Sequence, residues 1–306
     1  MANYLVQRLI QTILILFGIA AITFLLLYLV PADPAVQIAG RSATAQTVAN
    51  IRRELGLDQP LATQFLRYLG GLIHGDLGRS YAQKTEVMTL IAARIPATIT
   101  LMVAGIAAEL AIGVTLGVIA AVRRNTLLDR IVMIASFTTI SAPQFLVALL
   151  LLYVFAATLG WFPMSGFGSP AHVVLPALTL GILGAGWYAR IVRSTMIDVL
   201  NQDYVRTAKA KGVAPLRVVL RHALPNALLP VVAMIGIDIG QFMAGLVVVE
   251  AVFGWPGIGQ LAWQAIQQVD IPIIMGVTLV SALAIVIGNL LADLIAPFID
   301  PRIRLR

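Results

Sequence analysis

The chain has 306 residues, of which 59% are hydrophobic and 11% charged, with a net charge of +7 and a mean hydropathy of +0.93. Water-soluble domains carry roughly a quarter charged residues, so a chain this apolar lacks the polar surface to cover a globule in water. It has no cysteine, which excludes disulfides and thiolate metal centres, and His74, His172 and His222 lie too far apart in sequence for the spacing of a metal pair.

Six apolar stretches follow in chain order, at 9–30, 95–122, 131–161, 171–189, 228–253 and 271–299. A helix needs about 20 apolar residues to cross hydrocarbon, so they predict an all-α, polytopic membrane protein of six spans. The first, Leu9 to Val30, carries no charge and lacks a small-residue cleavage site after it, so it is expected to be a retained helix. The third contains Pro143, which predicts a kink or a break that neighbouring helices satisfy. The fourth is rich in glycine (Gly181, Gly184, Gly186), and Gly113/Gly117 and Gly236/Gly240 give two GxxxG spacings, which fit ordinary close helix packing.

Placing the N-terminus in the cytoplasm puts 14 of the 21 Lys and Arg residues inside, and the other seven, from Arg41 to Arg94, in one long outer segment. Long translocated segments count little in the positive-inside rule. The short outer loops 162–170 and 254–270 contain no Lys or Arg. Both termini inside is the consistent orientation, and the basic charge reports topology, not nucleic acid.

The outer segment, 31–94, has its own helical pattern. An amphipathic helix is expected from Thr44 to Leu55, ended by Gly56; after Asp58 and Pro60 a second runs from Leu61 to Leu69 and is stopped by Gly70 and Gly71. The expectation is a small extracytoplasmic helical cap between an N-terminal helix (1–30) and a core of five spans (95–299), with a cytoplasmic tail at 300–306.

The longest inside loop, 194–227, reads as two short basic helices. Asp203 is placed to N-cap one running from Tyr204 to Lys211, which Gly212 ends; Pro215 fits the first turn of the next, which Pro225 ends. On charge and amphipathicity alone, this pair fits an anionic lipid surface as well as a protein.

The loop resembles the EAA motif of ABC importer permeases. Arg206, Thr207 and Ala208 stand at the triplet, Gly212 follows after the three spacer residues Lys209, Ala210 and Lys211, and His222, Ala223, Leu224 and Pro225 close it. The initial Glu-Ala is absent, and His222 occupies an apolar position. The string Asp203-Tyr204-Val205-Arg206-Thr207-Ala208-Lys209-Ala210-Lys211-Gly212 is similar to the peptide and nickel branch of that family. So are Val30-Pro31-Ala32-Asp33-Pro34, with Ala32 where the family has Gly, then Gly75 to Ser80, Arg94 to Thr98, Leu175 to Leu180, Glu250 to Phe253, Pro256 to Gly259 and Asp270 to Pro272. The resemblance, to dipeptide and oligopeptide permeases with an outer segment after the first helix, spans nearly the whole chain. It implies a type I ABC importer permease core in a bacterial inner membrane. It also implies a second homologous permease, two ATPase subunits holding ATP and Mg, an extracytoplasmic binding protein, and a peptide or related solute as cargo. The loop would then be a coupling element in a groove of the ATPase, with Asp203, Tyr204, Arg206, Thr207, Ala208, Lys209, Lys211, Gly212, His222, Leu224 and Pro225 forming it.

Glu109, Asp238, Glu250 and Asp293 fall within or at the ends of apolar spans. Ionisable groups there are costly unless paired or wet, which makes them candidates for a translocation path. Glu109, Asp238 or Asp293 would instead serve as a proton site if the chain were an ion-coupled secondary transporter; that alternative has no need of the 203–225 loop. No Gly-Lys dipeptide occurs, so there is no Walker A. Gly-x-Ser-x-Gly and His-Glu-x-x-His are also absent, so no catalytic residue is expected.

Overall fold

The computed structural model describes residues 2–29, 34–40, 43–54 and 56–299, with the side chains of 2–6, 8, 26–29, 34, 37 and 291–299 outside that description. Among these residues all regular elements are helical, apart from an isolated bridge between Arg79 and Glu86. The outer part follows α1 (Ala2–Leu29) with α2 (Pro34–Ala39), α3 (Ala45–Glu54) and α4 (Leu61–Ile73). Next come α5 (Val87–Val122), α6 (Leu127–Ser141) and α7 (Gln144–Leu151), the last continuing as a π-helical segment, Leu152–Thr158, and then α8 (Pro170–Leu200). A basic hairpin follows, made of α9 (Asp203–Ala210), α10 (Pro215–Arg217), a π-helical segment Val218–Ala223 and α11 (Leu224–Ala227). The chain closes with α12 (Leu229–Met243), α13 (Val247–Val252), α14 (Ile258–Gln268) and α15 (Ile271–Ile299).

Among the described residues α5, α8 and α15 are long and apolar enough to cross a membrane alone. Two bent helix pairs, Leu127–Ser141 with Gln144–Thr158 and Pro215–Ala227 with Leu229–Met243, reach that length and apolarity only when each pair is taken together, and α1 contributes the apolar run Leu9–Leu25. At the centre α5 lies against α8 with glycines at the closest points. A Cβ on Gly113 would lie 2.9 Å from the Ala185 carbonyl oxygen, and one on Gly117 2.7 Å from that of Ala189. The GxxxG spacing of α5 thus has a definite partner, as small-residue packing requires. Opposite Gly186 of α8 lies α6, and α12 meets α15 where Gly240 approaches the Ile285 Cα.

Several boundaries differ from those expected. The second span begins at Val87 and carries Pro96 inside it. The 131–161 stretch breaks at Ala142–Pro143, where α6 and the α7 segment meet at 106°; Pro143 has no N–H and biases the residue before it away from helix. The 228–253 stretch is not one helix: Gly245, at φ +106°, turns the chain between α12 and α13. Likewise α4 does not stop at Gly70 and Gly71 but runs to Ile73 and ends at Gly75, φ +77°. Gly71 is there for the returning chain, since a Cβ would sit 3.2 Å from the Asp76 carbonyl oxygen. By contrast α3 forms as read: Thr44 Oγ1 accepts the Thr47 N–H at 3.2 Å, and Gly56 follows at φ +67°.

The 34–73 helices rest on the spans through aromatics, with Phe24 of α1 tilted against Phe65 and stacked on Tyr68 of α4 at centroid distances of 5.1 and 5.8 Å. Below them two motif strings far apart in sequence meet. Asp270, 1% exposed, accepts from Ser80 Oγ at 2.5 Å, Tyr81 N at 3.2 Å and Ala82 N at 3.0 Å. Asp270→Ala strands three donors, and unsatisfied buried donors cost about 1–3 kcal/mol each, less where water can follow. The expected loss is about 2–3 kcal/mol, read as a lower midpoint of thermal unfolding in detergent, with Asp270→Asn losing less.

Candidate functional site

The hairpin of α9 to α11 is built around one backbone requirement. Lys211 caps α9 and Gly212 follows at φ +75°. The Gly212 N–H donates to the Lys209 carbonyl at 3.0 Å and the Val213 N–H to the Ala208 carbonyl at 3.2 Å. That pair is a Schellman motif, which needs a left-handed residue at this point. Its accompanying apolar contact is present too, as Val205 and Ala208 pack with Val213, Val218 and Leu200. No atom lies within 4 Å of where a Gly212 Cβ would be, so the constraint is backbone conformation and not space.

Burying that face leaves a mixed one outside. Tyr204 is 45% exposed, Leu216 69% and Leu220 51%, among exposed Arg206, Thr207, Lys209, Lys211, Arg217 and Arg221. Asp203 is the first residue of α9 and makes no capping bond; Gln202 is the N-cap, and Asp203 forms an exposed pair with Arg206 at 3.3 Å, which contributes little. Pro225 does not end the second limb. The backbone widens to π-helix over Val218–Ala223 and runs on through Pro225 to Ala227, a local adjustment of the kind that accommodates a proline. His222 is half-buried, and its carbonyl accepts from Asn226 Nδ2 at 3.1 Å. Leu224 packs with the Met196–Ala227 cluster that seats the hairpin on α5 and α8.

The second candidate lies between α5, α6, α8 and α12. Glu109 and Asp238 come together there, with the Tyr188 hydroxyl donating to Asp238 Oδ2. Glu109 is 4% exposed and its Oε2 has no hydrogen-bond partner. Room for its carboxyl exists because Gly184 faces it, where a Cβ would collide with Glu109 Oε1. Both acids line a cavity of about 250 Å³ with Thr139, Gln144 and Gln241. Among the described residues no Lys, Arg or His forms an ion pair with either acid, and no group of His, Asp and Glu is arranged to hold a metal.

Glu250 stands apart from this pair. It is fully buried in α13, where its Oε2 accepts the Gln260 N–H at 2.7 Å and the carboxylate also takes the Gly259 N–H. It therefore satisfies orphan donors at the start of α14. Around it Trp255 Nε1 donates to the Ala97 carbonyl at 3.0 Å and the Ile258 N–H to Thr98 Oγ1 at 2.9 Å. The glycine-rich turn is consequently inserted against α5, with Trp255 and Ile258 fully buried. The Asp293 side chain lies outside the described residues. Sequence reasoning missed Tyr188, whose only signal was a polar group in the glycine-rich fourth stretch. It also missed the partnership of Asp129 with Arg193, where Arg193 had registered only as topological charge.

Residues 113–305 match the family model described as binding-protein-dependent transport system inner membrane component, and residues 1–102 the model for the N-terminal part of such components. The glutathione transport system permease protein GsiC of Salmonella paratyphi A is 42% identical over 304 residues, covering 99% of each chain. That of Escherichia coli K12 is 41% identical with the same coverage. Among solved structures, the inward-facing MetNI methionine ABC transporter gives a TM-score of 0.59 at 18% identity, covering 69% of this chain and 97% of that one. Its native crystal form gives 0.57 at 20%.

Proposed function

We infer the role of this chain from one premise: it belongs to the family of binding-protein-dependent transport system inner membrane components. It is a membrane-spanning permease subunit of an ABC importer, and the alternative of an ion-coupled secondary transporter is not favoured. Beyond that, we propose that it pairs with a second, homologous permease and works with two ATPase subunits and an extracytoplasmic binding protein. ATP and Mg would be bound by the ATPase subunits, and hydrolysis would take place there. The likeness to a glutathione permease over nearly the full length supports a short peptide or peptide-like solute as cargo. The proposed setting is a bacterial inner membrane, with both termini cytoplasmic and 31–94 as the outer segment.

One observation carries the coupling assignment. The hairpin of α9 to α11 is closed by a Schellman turn at Gly212 and leaves Tyr204, Leu216 and Leu220 exposed amid basic residues. A rigid basic lever with apolar anchors is what docking into a partner groove requires, since such anchors carry most interface energy. In the membrane, Glu109 and Asp238 would form part of the translocation path, facing the cationic end of a peptide; Glu250 has the support of a structural role, and Asp293 stays a candidate on sequence alone.

The test is at Gly212. Valine there forces a β-branched residue to φ +75°, which costs at least about 1–2 kcal/mol. Gly212→Val is expected to lower ATP-driven uptake by about tenfold or more in an importer that still assembles and hydrolyses ATP. Gly212→Asn, which tolerates a left-handed backbone, is expected to keep most uptake. Wild-type uptake by Gly212→Val would refute the coupling role.

A further inference from the structure

Asp129 is an acid at the membrane edge that the transport reading leaves without a task. It is 3% exposed, and its carboxylate takes Arg193 Nε at 2.5 Å and Nη2 at 2.7 Å as a fork. Oδ2 also accepts the Asn125 N–H at 2.9 Å, and Thr126 Oγ1 N-caps α6 through the Asp129 N–H. The cytoplasmic turn between α5 and α6 is thereby fastened to α8. Bidentate Arg–carboxylate pairs fix angle as well as distance; a quarter of the Arg193 side chain is exposed but the Asp129 carboxyl is buried, so separating them leaves that carboxylate uncompensated. The pair is thus a stiff joint, not a surface contact.

Its place in the fold says what it joins. Opposite Gly186 the last turns of α6, at Ser136, Thr139 and Ile140, touch α8, and Arg193 lies about two turns further along α8, where Asp129 holds the start of α6. Another two turns lead to Leu200, where α8 hands over to the hairpin. The foot of α8 is already one body with the hairpin: Met196 packs with Ala223 and Ala227, and Thr195 Oγ1 donates to the Ala227 carbonyl at 2.9 Å. The other end of α6 is the sharp break at Ala142–Pro143. Thr139 and Ile140 before that break, and Gln144 after it, line the cavity beside Glu109 and Asp238.

We propose that the Asp129–Arg193 pair is the joint that carries movement of the cytoplasmic hairpin into α6 and so to the cavity wall at the α6–α7 break. Both are positioning residues, acting through α6. The inference rests on the coupling reading of the hairpin but concerns a different contact.

The chain has no cysteine, so it can be spin-labelled at chosen sites before reconstitution. Labels at Leu127→Cys, on the exposed start of α6, and Ala214→Cys, at the exposed bend of the hairpin, report the joint in the assembled importer in lipid nanodiscs. With Asp129 intact, one narrow distance distribution is expected, unchanged between nucleotide-free and ATP-trapped states. In Asp129→Asn it broadens and becomes nucleotide-dependent, while uptake per ATP hydrolysed falls about 3- to 30-fold. Arg193→Gln should match it, and the double variant should be no worse than either single, because the pair acts as a unit. Arg193→Lys, which keeps the charge and loses the fork, is the second route should Asp129→Asn fail to assemble. Wild-type distances and uptake in these variants overturn the proposal, as does a wild-type distance that itself changes with nucleotide. Wild-type uptake by Gly212→Val would instead sink the coupling reading, and the label distances would still decide whether the joint is rigid.

Discussion

Replacing Gly117 by valine is expected to prevent the chain from accumulating as a folded subunit. The Cβ alone would stand 2.7 Å from the Ala189 carbonyl oxygen and 2.8 Å from the Val192 Cβ. The first of these is backbone in the middle of a long helix, so it has no rotamer by which to withdraw. Accommodating it means moving α5 away from α8 along the contact that also includes Gly113 and Tyr188. Overpacking a dense core costs about 1–3 kcal/mol and sometimes more; two γ-methyls against backbone put this case at or above the upper end. The measurement is the yield of monodisperse protein after detergent extraction, with the unfolding midpoint of whatever survives. Gly70→Ala is the counterpart of opposite sign. Gly70 is helical with nothing within 4 Å of its missing Cβ, so alanine is expected to stabilise α4 by up to about 1 kcal/mol. A Gly117→Val protein with native yield and midpoint would mean that α5 and α8 are not in direct backbone contact.

Gly70 and its neighbour Gly71 also show where sequence reading succeeds and where it fails. Composition and charge are local sums, so the apolar stretches, the break at Pro143 and the basic hairpin with its turn at Gly212 were legible from residues alone. A glycine or proline is ambiguous, because one residue type serves opposite ends. Gly70 and Gly71 read as a stop, yet Gly71 lets the returning chain approach and the stop falls at Gly75. Pro225 reads as an end, yet a π-helical segment absorbs it. What was not legible is pairing. Tyr188 with Asp238, Asp129 with Arg193 and Ser80 with Asp270 are joined by hydrogen bonds across long stretches of chain, and no period or spacing encodes such a partnership. Motif strings marked some of these places as special, at Ser80 and Asp270 for example, without saying that they touch.

Glu250 is where that limit has the largest measurable consequence. As a sequence feature it is one more acid in an apolar stretch, equivalent to Glu109. In the structure the two differ in what their removal would leave behind. Glu250→Ala would strand the Gly259 and Gln260 N–H groups at the start of α14 and open a void against Gly257 and Gly259, which face its carboxyl, at a site where Glu250 is fully buried. Stranded donors cost about 1–3 kcal/mol each, and large-to-small core substitutions about 2–5 kcal/mol. A combined loss of about 4 kcal/mol or more is therefore expected, enough to unfold a marginally stable subunit. Glu250→Gln keeps the volume and an acceptor oxygen for the Gln260 N–H, and its amide nitrogen takes the position of Oε1, which has no hydrogen-bond partner. It is expected to retain most of the unfolding midpoint and of the uptake. A residue that met cargo through its charge would give the reverse: near-normal stability in both variants, and uptake lost in Glu250→Gln as fully as in Glu250→Ala. Thermal unfolding and uptake measured on the same two preparations separate these outcomes, and the second would return Glu250 to the translocation path.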